Sequence, residues 1–184
     1  MTIIKLDRWL FNKIYNLTAN KIIKYMAVFI ANYSKNIYFV MYFIGFAILC
    51  LMLPYSLVST LKYASNSYFI VRKLVIYIAV PLLMLLINNV LRKIVKRKRP
   101  FINENVPQLI DHSASSSTPS NHATSSLVIA FAWLLICPRV GIILMILSFV
   151  TSLSRILVAL HYPMDVLIGW IVAGVGGWLM LYLS

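Results

Sequence analysis

Acidic residues are nearly missing from this chain: Asp7, Glu104, Asp111 and Asp165 are the only four, against 17 lysines and arginines in 184 residues. Charge of either sign is absent over long stretches, from Asn36 to Leu61, Leu74 to Leu91, Val140 to Ser154 and Val166 to Ser184. A soluble domain distributes charge over its whole surface, so this pattern excludes that class. Each run approaches the roughly 20 mostly apolar helical residues that cross a hydrocarbon core about 30 Å thick. Cysteine is scarce as well: Cys50 and Cys137 both lie in apolar runs. Two are too few for a disulfide scaffold, and such thiols ordinarily pack as small apolar groups. Three histidines and four carboxylates show no His-Glu-x-x-His or similar paired-ligand spacing, so neither a metal nor another cofactor is expected.

What is present is 61% hydrophobic with a net charge of +13. In a soluble protein that charge would suggest nucleic acid. Here the basic residues flank membrane segments, where anionic lipid headgroups are the nearer partners, and no nucleic-acid partner is expected. The first residues do not read as a cleaved signal peptide, because Lys5, Asp7, Arg8 and Lys13 interrupt any apolar core, so the N-terminal segment should be retained.

The expected architecture is all-α, a polytopic membrane helix bundle forming one domain over residues 1–184. Residues 1–35 mix Trp9, Leu10, Phe11, Ile14, Tyr15 and Leu17 with lysine and asparagine at helical spacing, which suits an amphipathic helix at the membrane interface. A weaker apolar stretch, Tyr25 to Ala31, is too short to span alone and could form a short sixth helix. Five firm spans follow: Ile37 to about Ser56, Leu74 to Leu91, about Ser120 to Cys137-Pro138, Val140 to about Leu157, and about Pro163 to the end. A polar connector with Lys62, Asn66, Arg72 and Lys73 joins the first two. Five crossings gather three polar features at one face: the basic run ending span two, Ser120 and His122 opening span three, and Arg155, His161 and Asp165 at the junction of spans four and five.

Each feature has a bland reading and a chemical one. The run Arg92, Lys93, Lys96, Arg97, Lys98, Arg99 could simply touch anionic lipid, or turn a guanidinium inward to hold phosphate oxygens by paired hydrogen bonds. Pro119-Ser120-Asn121-His122 opens an apolar helix. Ser120 or Asn121 could merely cap it, while free N–H groups at a helix start also form an anion site beside which His122 could protonate a leaving oxygen. Arg155 stands in the otherwise uncharged stretch Val140 to Leu160. An intramembrane arginine needs a partner or a water-filled site, so either a structural ion pair or anion binding accounts for it. Pro163 suits a first helical turn, which puts Asp165 in that turn and His161 just outside. The carboxylate could complement the helix dipole, or accept one imidazole N–H and leave the other nitrogen as a nucleophile.

Taken in order, Arg92-x6-Arg99-Pro100, Pro119-Ser120-Asn121-His122 and Ser154-Arg155-x5-His161-x3-Asp165 resemble the three motifs of the type-2 phosphatidic acid phosphatase superfamily: Lys-x6-Arg-Pro, Pro-Ser-Gly-His and Ser-Arg-x5-His-x3-Asp. The third matches fully. The first has Arg92 in place of lysine, with Lys93 one position off, and Asn121 replaces glycine in the second. A polar residue there, the amphipathic start LDRWLFNKIYNL, and Asp111-His112 before a serine-rich approach are similar to the bacterial undecaprenyl-diphosphate phosphatase branch.

The resemblance implies a metal-independent lipid phosphatase acting on a lipid-linked phosphate or diphosphate, with undecaprenyl diphosphate first and phosphatidate or phosphatidylglycerol phosphate as alternatives. It implies His161 as nucleophile forming a phosphohistidine, Asp165 orienting it, and His122 protonating the departing oxygen. Arg92, Arg99, Ser120, Asn121 and Arg155 would bind the phosphate. A non-catalytic polybasic anchor would need only net charge and neither histidine. The family further implies a multi-pass cell-membrane protein with an extracytoplasmic active site. Charge does not decide that face. Outside the proposed phosphate site, Lys5, Arg8, Lys13, Lys21, Lys24 and Lys35 lie on the active side and Lys62, Arg72, Lys73 and Arg139 on the other, too even a split for the positive-inside rule.

Overall fold

The computed structural model describes residues 2–59 and 64–184, with side-chain surroundings for all of these except 54–59 and 64–67. The helices are α1 (Ile3–Tyr15), α2 (Lys21–Ser59), α3 (Ala64–Val95), α4 (Pro100–Asn103), α5 (Asn121–Leu134), α6 (Pro138–Leu157) and α7 (Pro163–Leu183), with a 3-10 turn over Asn16–Ala19 between the first two. No strand occurs among the described residues. Four helices, α2, α3, α6 and α7, are long and apolar enough to cross a membrane. α5 has 14 residues, which at 1.5 Å per residue is only about 21 Å. The chain is a multi-pass membrane helix bundle.

Two boundaries differ from the sequence reading. Tyr25 to Ala31 does not form a separate helix: it continues into the first span as the single 39-residue α2. The intervening Asn32-Tyr33-Ser34-Lys35-Asn36 contains neither glycine nor proline, so nothing breaks the helix there. Of the expected polar connector, Asn66, Arg72 and Lys73 belong to α3, and Lys62 lies outside the described residues.

α5 is the axis of the bundle, touching α2, α3, α6 and α7. Its buried side chains are mostly small, including Ala123, Thr124, Ser126, Ala130 and Ala132. Small residues let membrane helices approach closely where no hydrophobic force separates protein from lipid. α7 answers in kind. A Cβ at Gly177 would stand 2.4 Å from the Phe131 ring, and one at Gly169 would stand 3.0 Å from both the Ser120 carbonyl and Thr124 Oγ1. Buried hydroxyls bridge the helices: Ser126 and Ser148 Oγ are 2.6 Å apart, and Thr124 Oγ1 lies 3.0 Å from Asn88 Oδ1 and 3.1 Å from the Gly169 carbonyl. The main apolar core, with Tyr77, Val80, Met84, Val128, Ala132, Ala173 and Met180, fills the half of the bundle away from the polar mouth.

α1 docks across that mouth. Phe11 is fully buried against Ile156, Tyr162 and Val166, its ring edge-on to Tyr162 at 5.3 Å. Burying such a side chain stabilises docking by about 1.5–3 kcal/mol. Arg8 pairs with Glu104 at 3.3 Å, and the Tyr15 hydroxyl donates to the Pro107 carbonyl at 3.0 Å, so α1 also clasps the loop that leads to α5.

Candidate active site

Four helix ends meet here: the C-termini of α3 and α6 and the N-termini of α5 and α7. α6 ends in a Schellman arrangement, with the Leu160 N–H bonded to the Arg155 carbonyl and the Ala159 N–H to the Ile156 carbonyl. Ala159 takes the left-handed φ of 59° that this motif needs, a conformation that favours glycine. The reversal turns His161 back into the bundle, where it is 1% exposed. Pro163 then opens α7, and Asp165 accepts the Tyr162 N–H at 2.8 Å.

The imidazole of His161 has distinct partners on its two nitrogens. Nδ1 lies 2.7 Å from the Ser117 carbonyl, which can only accept, so Nδ1 carries the proton and Nε2 keeps a lone pair. Nε2 faces Arg99 Nη1 at 3.4 Å. The expected bond to Asp165 is not made: its Oδ2 stands 3.9 Å from Nδ1. Asp165 is instead satisfied by Arg97 Nη1 at 2.9 Å, the Thr118 hydroxyl and the Tyr162 amide. Burial first, and then the guanidinium groups of Arg99 and Arg155, hold the His161 pKa well below the usual imidazole value, so the ring is neutral.

Three arginines gather around this histidine. Arg99, 1% exposed, donates to the carbonyls of Leu160 at 2.9 Å and Ser115 at 3.1 Å. Arg92 donates to the Pro119 carbonyl at 3.1 Å and to the Ser116 carbonyl, and its Nη2 and that of Arg99 both reach Ser115 Oγ. Arg155, 3% exposed, donates to the Ala31 carbonyl at 2.9 Å, and its Nη2 lies 2.9 and 3.0 Å from the ring nitrogens of His122. Its Nε, buried, has no hydrogen-bond partner among the described residues. Arg92, Arg99, Arg155, His122 and His161 thus share one site, with Ser120 beside them.

Ser120 caps α5, its Oγ accepting the Ala123 N–H at 3.4 Å, and its own N–H bonds the Asp165 carbonyl at 3.0 Å. The capping reading of Ser120 is the one these bonds show, and the cap fixes the helix start against α7. Asn121 turns aside: its amide pairs with Asn88 and, at 3.4 Å, with Asn89 on α3. Sequence reasoning missed the residues that hold Asp165. Arg97 bridges Asp165 to Asp7 of α1 at 2.6 Å and sits 3.9 Å over the Tyr162 ring. Asp7, 3% exposed, also accepts the Met164 N–H at 2.9 Å. The available signal was Asp7 itself, one of four carboxylates in a lipid-facing chain.

Fold and site together define a membrane helix bundle that gathers Arg92, Arg99, Arg155, His122 and His161 at one mouth, with Arg99 and Arg155 buried. This chain belongs to the PAP2 superfamily, whose family model matches residues 73–184. It is 39% identical over 100 residues to the undecaprenyl-diphosphatase BcrC of Bacillus subtilis strain 168, covering 54% of this chain and 52% of that one. It is 30% identical over 105 residues to a lipid A 4'-phosphatase of Bacteroides thetaiotaomicron, covering 53% and 47%. The matched region spans about half the length of these curated relatives. The fold is similar to the crystal structure of Aquifex aeolicus LpxE over 96% of this chain and 95% of that one, with a TM-score of 0.63 at 21% identity.

Proposed function

We propose that the chain is a membrane lipid phosphatase that hydrolyses undecaprenyl diphosphate to the monophosphate through a phosphohistidine on His161. The observation that carries this reading is the buried, neutral His161 with its Nδ1 proton fixed on the Ser117 carbonyl and its Nε2 turned toward Arg99. The family and the name of the Bacillus relative support the substrate class. Nε2 attacks the terminal phosphorus, the P–O bond to the leaving group breaks, and the bridging oxygen departs with the electron pair and a proton from His122. Arg92, Arg99 and Arg155 compensate the charge on the transferring oxygens without reorganising, because backbone carbonyls already aim them. Asp165, 3.9 Å from Nδ1, offsets the positive charge of the phosphorylated ring and fixes Tyr162 beside it. Water then cleaves the P–N bond with His122 as base.

No step uses a metal. The active mouth is read as extracytoplasmic, which places α1 on that face too. Phosphate release by purified protein in EDTA, with and without His161→Ala, tests the chemistry: full activity in the variant would refute it. A substrate panel of undecaprenyl diphosphate, phosphatidate and lipid A tests the substrate, the last because one relative is a lipid A 4'-phosphatase. Cysteine labelling of residues 103–117 in intact cells tests the face.

A further inference from the structure

Beside His122, and not lined by His161, lies a cavity of about 220 Å³ between α2, α3, α5 and α6. Its lining is mixed: Ser34, Lys35, His122 and the hydroxyls of Ser125, Ser126 and Thr151 are polar, and Phe39, Leu85 and Ile129 supply apolar wall. Ser34 is 4% exposed, yet its hydroxyl oxygen has no hydrogen-bond partner among the described residues. Leaving a buried hydroxyl unpaired costs about 1–3 kcal/mol, so such a group in a cavity wall indicates a ligand that would pair with it. Lys35 has no carboxylate within ion-pairing distance among the described residues. Lys35 is exposed at the edge of this cavity, so its ammonium is free to meet an anion bound there.

The reaction geometry says which anion. The leaving oxygen must lie opposite the attacking Nε2, on the side of His122. Whatever is bonded to that oxygen extends away from His161, into the cavity that His122 lines. A lipid monophosphate would place carbon there, against an unpaired hydroxyl and an ammonium. A lipid diphosphate would place its second phosphate there, with the lipid chain continuing toward Phe39, Leu85 and Ile129.

We propose that Ser34 and Lys35 of α2 form a leaving-phosphate subsite that selects lipid diphosphates over lipid monophosphates. This rests on the phosphatase reading above and adds the residues that set its substrate class. In the step, the bond between the terminal phosphorus and the bridging oxygen breaks as the Nε2–P bond forms. The electron pair stays on the departing lipid phosphate, where Lys35 compensates the charge. A phosphate leaves with less need of a proton than an alkoxide does, so Lys35 shares with His122 the work of expelling it.

The test uses farnesyl diphosphate and farnesyl monophosphate, which share a tail and differ only in the second phosphate. Lys35→Ala should lower kcat/KM for the diphosphate on the order of 10–100-fold and change that for the monophosphate less than about 3-fold. Lys35→Arg should restore most of the preference, and Ser34→Ala should lose a smaller part of it. Equal losses on both lipids, or no loss on the diphosphate, would overturn the subsite. Binding of the non-hydrolysable farnesyl methylenediphosphonate, against farnesyl phosphonate, separates this outcome from failure of the phosphatase reading. A preference for the diphosphonate that disappears in Lys35→Ala supports the subsite even if neither farnesyl ester is turned over, and its absence from the wild type refutes it.

Discussion

Replacing Asp7 with alanine should loosen α1 and reach the active site through Arg97. Asp7 makes two bonds that alanine cannot: one from the Met164 amide at 2.9 Å and one from Arg97 at 2.6 Å. The first is a helix-start contact, worth about 1 kcal/mol. The second is charge-assisted, worth about 1.5–3 kcal/mol, and belongs at the low end because the Arg97 side chain is 25% exposed. Together they put about 2–3 kcal/mol on the docking of α1, comparable to the burial of Phe11. At 1.4 kcal/mol per factor of ten, amide exchange in α1 and at Met164 should accelerate about 30- to 150-fold in detergent micelles. Phosphate release should fall alongside, since Arg97 keeps its bond to Asp165 but loses the anchor that fixes its direction. Wild-type exchange rates in Asp7→Ala, with unchanged activity, would refute the idea that α1 is fastened to the site through this carboxylate.

Asp165→Asn keeps an acceptor for the Tyr162 amide but removes the charge that faces Arg97 and His161, so kcat should drop on the order of 10²-fold or more with KM little changed, as steady-state kinetics would show. Gly169→Ala sets a methyl 3.0 Å from the Ser120 carbonyl and Thr124, which should cost about 1–3 kcal/mol in a thermal-unfolding comparison and lower activity by displacing the start of α5. His161 has a folded-state pKa well below its ordinary 6.5. Keeping the ring neutral therefore adds stability above pH 6.5 that is lost as pH falls below it, because the unfolded chain gains the proton first. Unfolding scans from pH 7 to pH 5 should show wild type losing more stability than His161→Gln, which cannot titrate, and parallel curves would contradict the assignment.

Most of the polar mouth was legible in the sequence because its residues are conspicuous against apolar surroundings. Arg155 interrupts a charge-free helix, and His161 and Asp165 bracket a proline that starts another. What the sequence could not reveal depends on backbone and on distance along the chain. The partner that sets the His161 tautomer is the carbonyl of Ser117, a group every residue carries, so no side-chain pattern could have distinguished it from Asp165. The Asp7–Arg97–Asp165 chain joins positions 90 and 68 residues apart, pairings that only the docking of α1 creates. The phosphate contact expected of Asn121 is through its backbone N–H at the start of α5, while the pairing of its side-chain amide with the facing Asn88 and Asn89 of α3 was not legible in the sequence. Helix boundaries followed polarity too closely: Asn32 to Asn36 looked like a break, yet lacks the residues that make one.

The mismatch in length between α5 and α2 bears on how the proposed lipid substrate would arrive. At 14 residues, α5 is about 9 Å shorter than a hydrocarbon layer about 30 Å thick, whereas the 39 residues of α2 extend about 58 Å. The part of α2 before Ala31, whose carbonyl accepts from Arg155, consequently rises beyond the level of the candidate site. The exposed side chains of this stretch are mixed: Ile22, Tyr25, Met26, Phe29 and Tyr33 alternate with Lys21, Lys24 and Asn32. The lipid substrate proposed above would keep its tail immersed while its phosphorylated end reaches sideways to the histidines, so its delivery would be a two-dimensional problem solved by lateral diffusion.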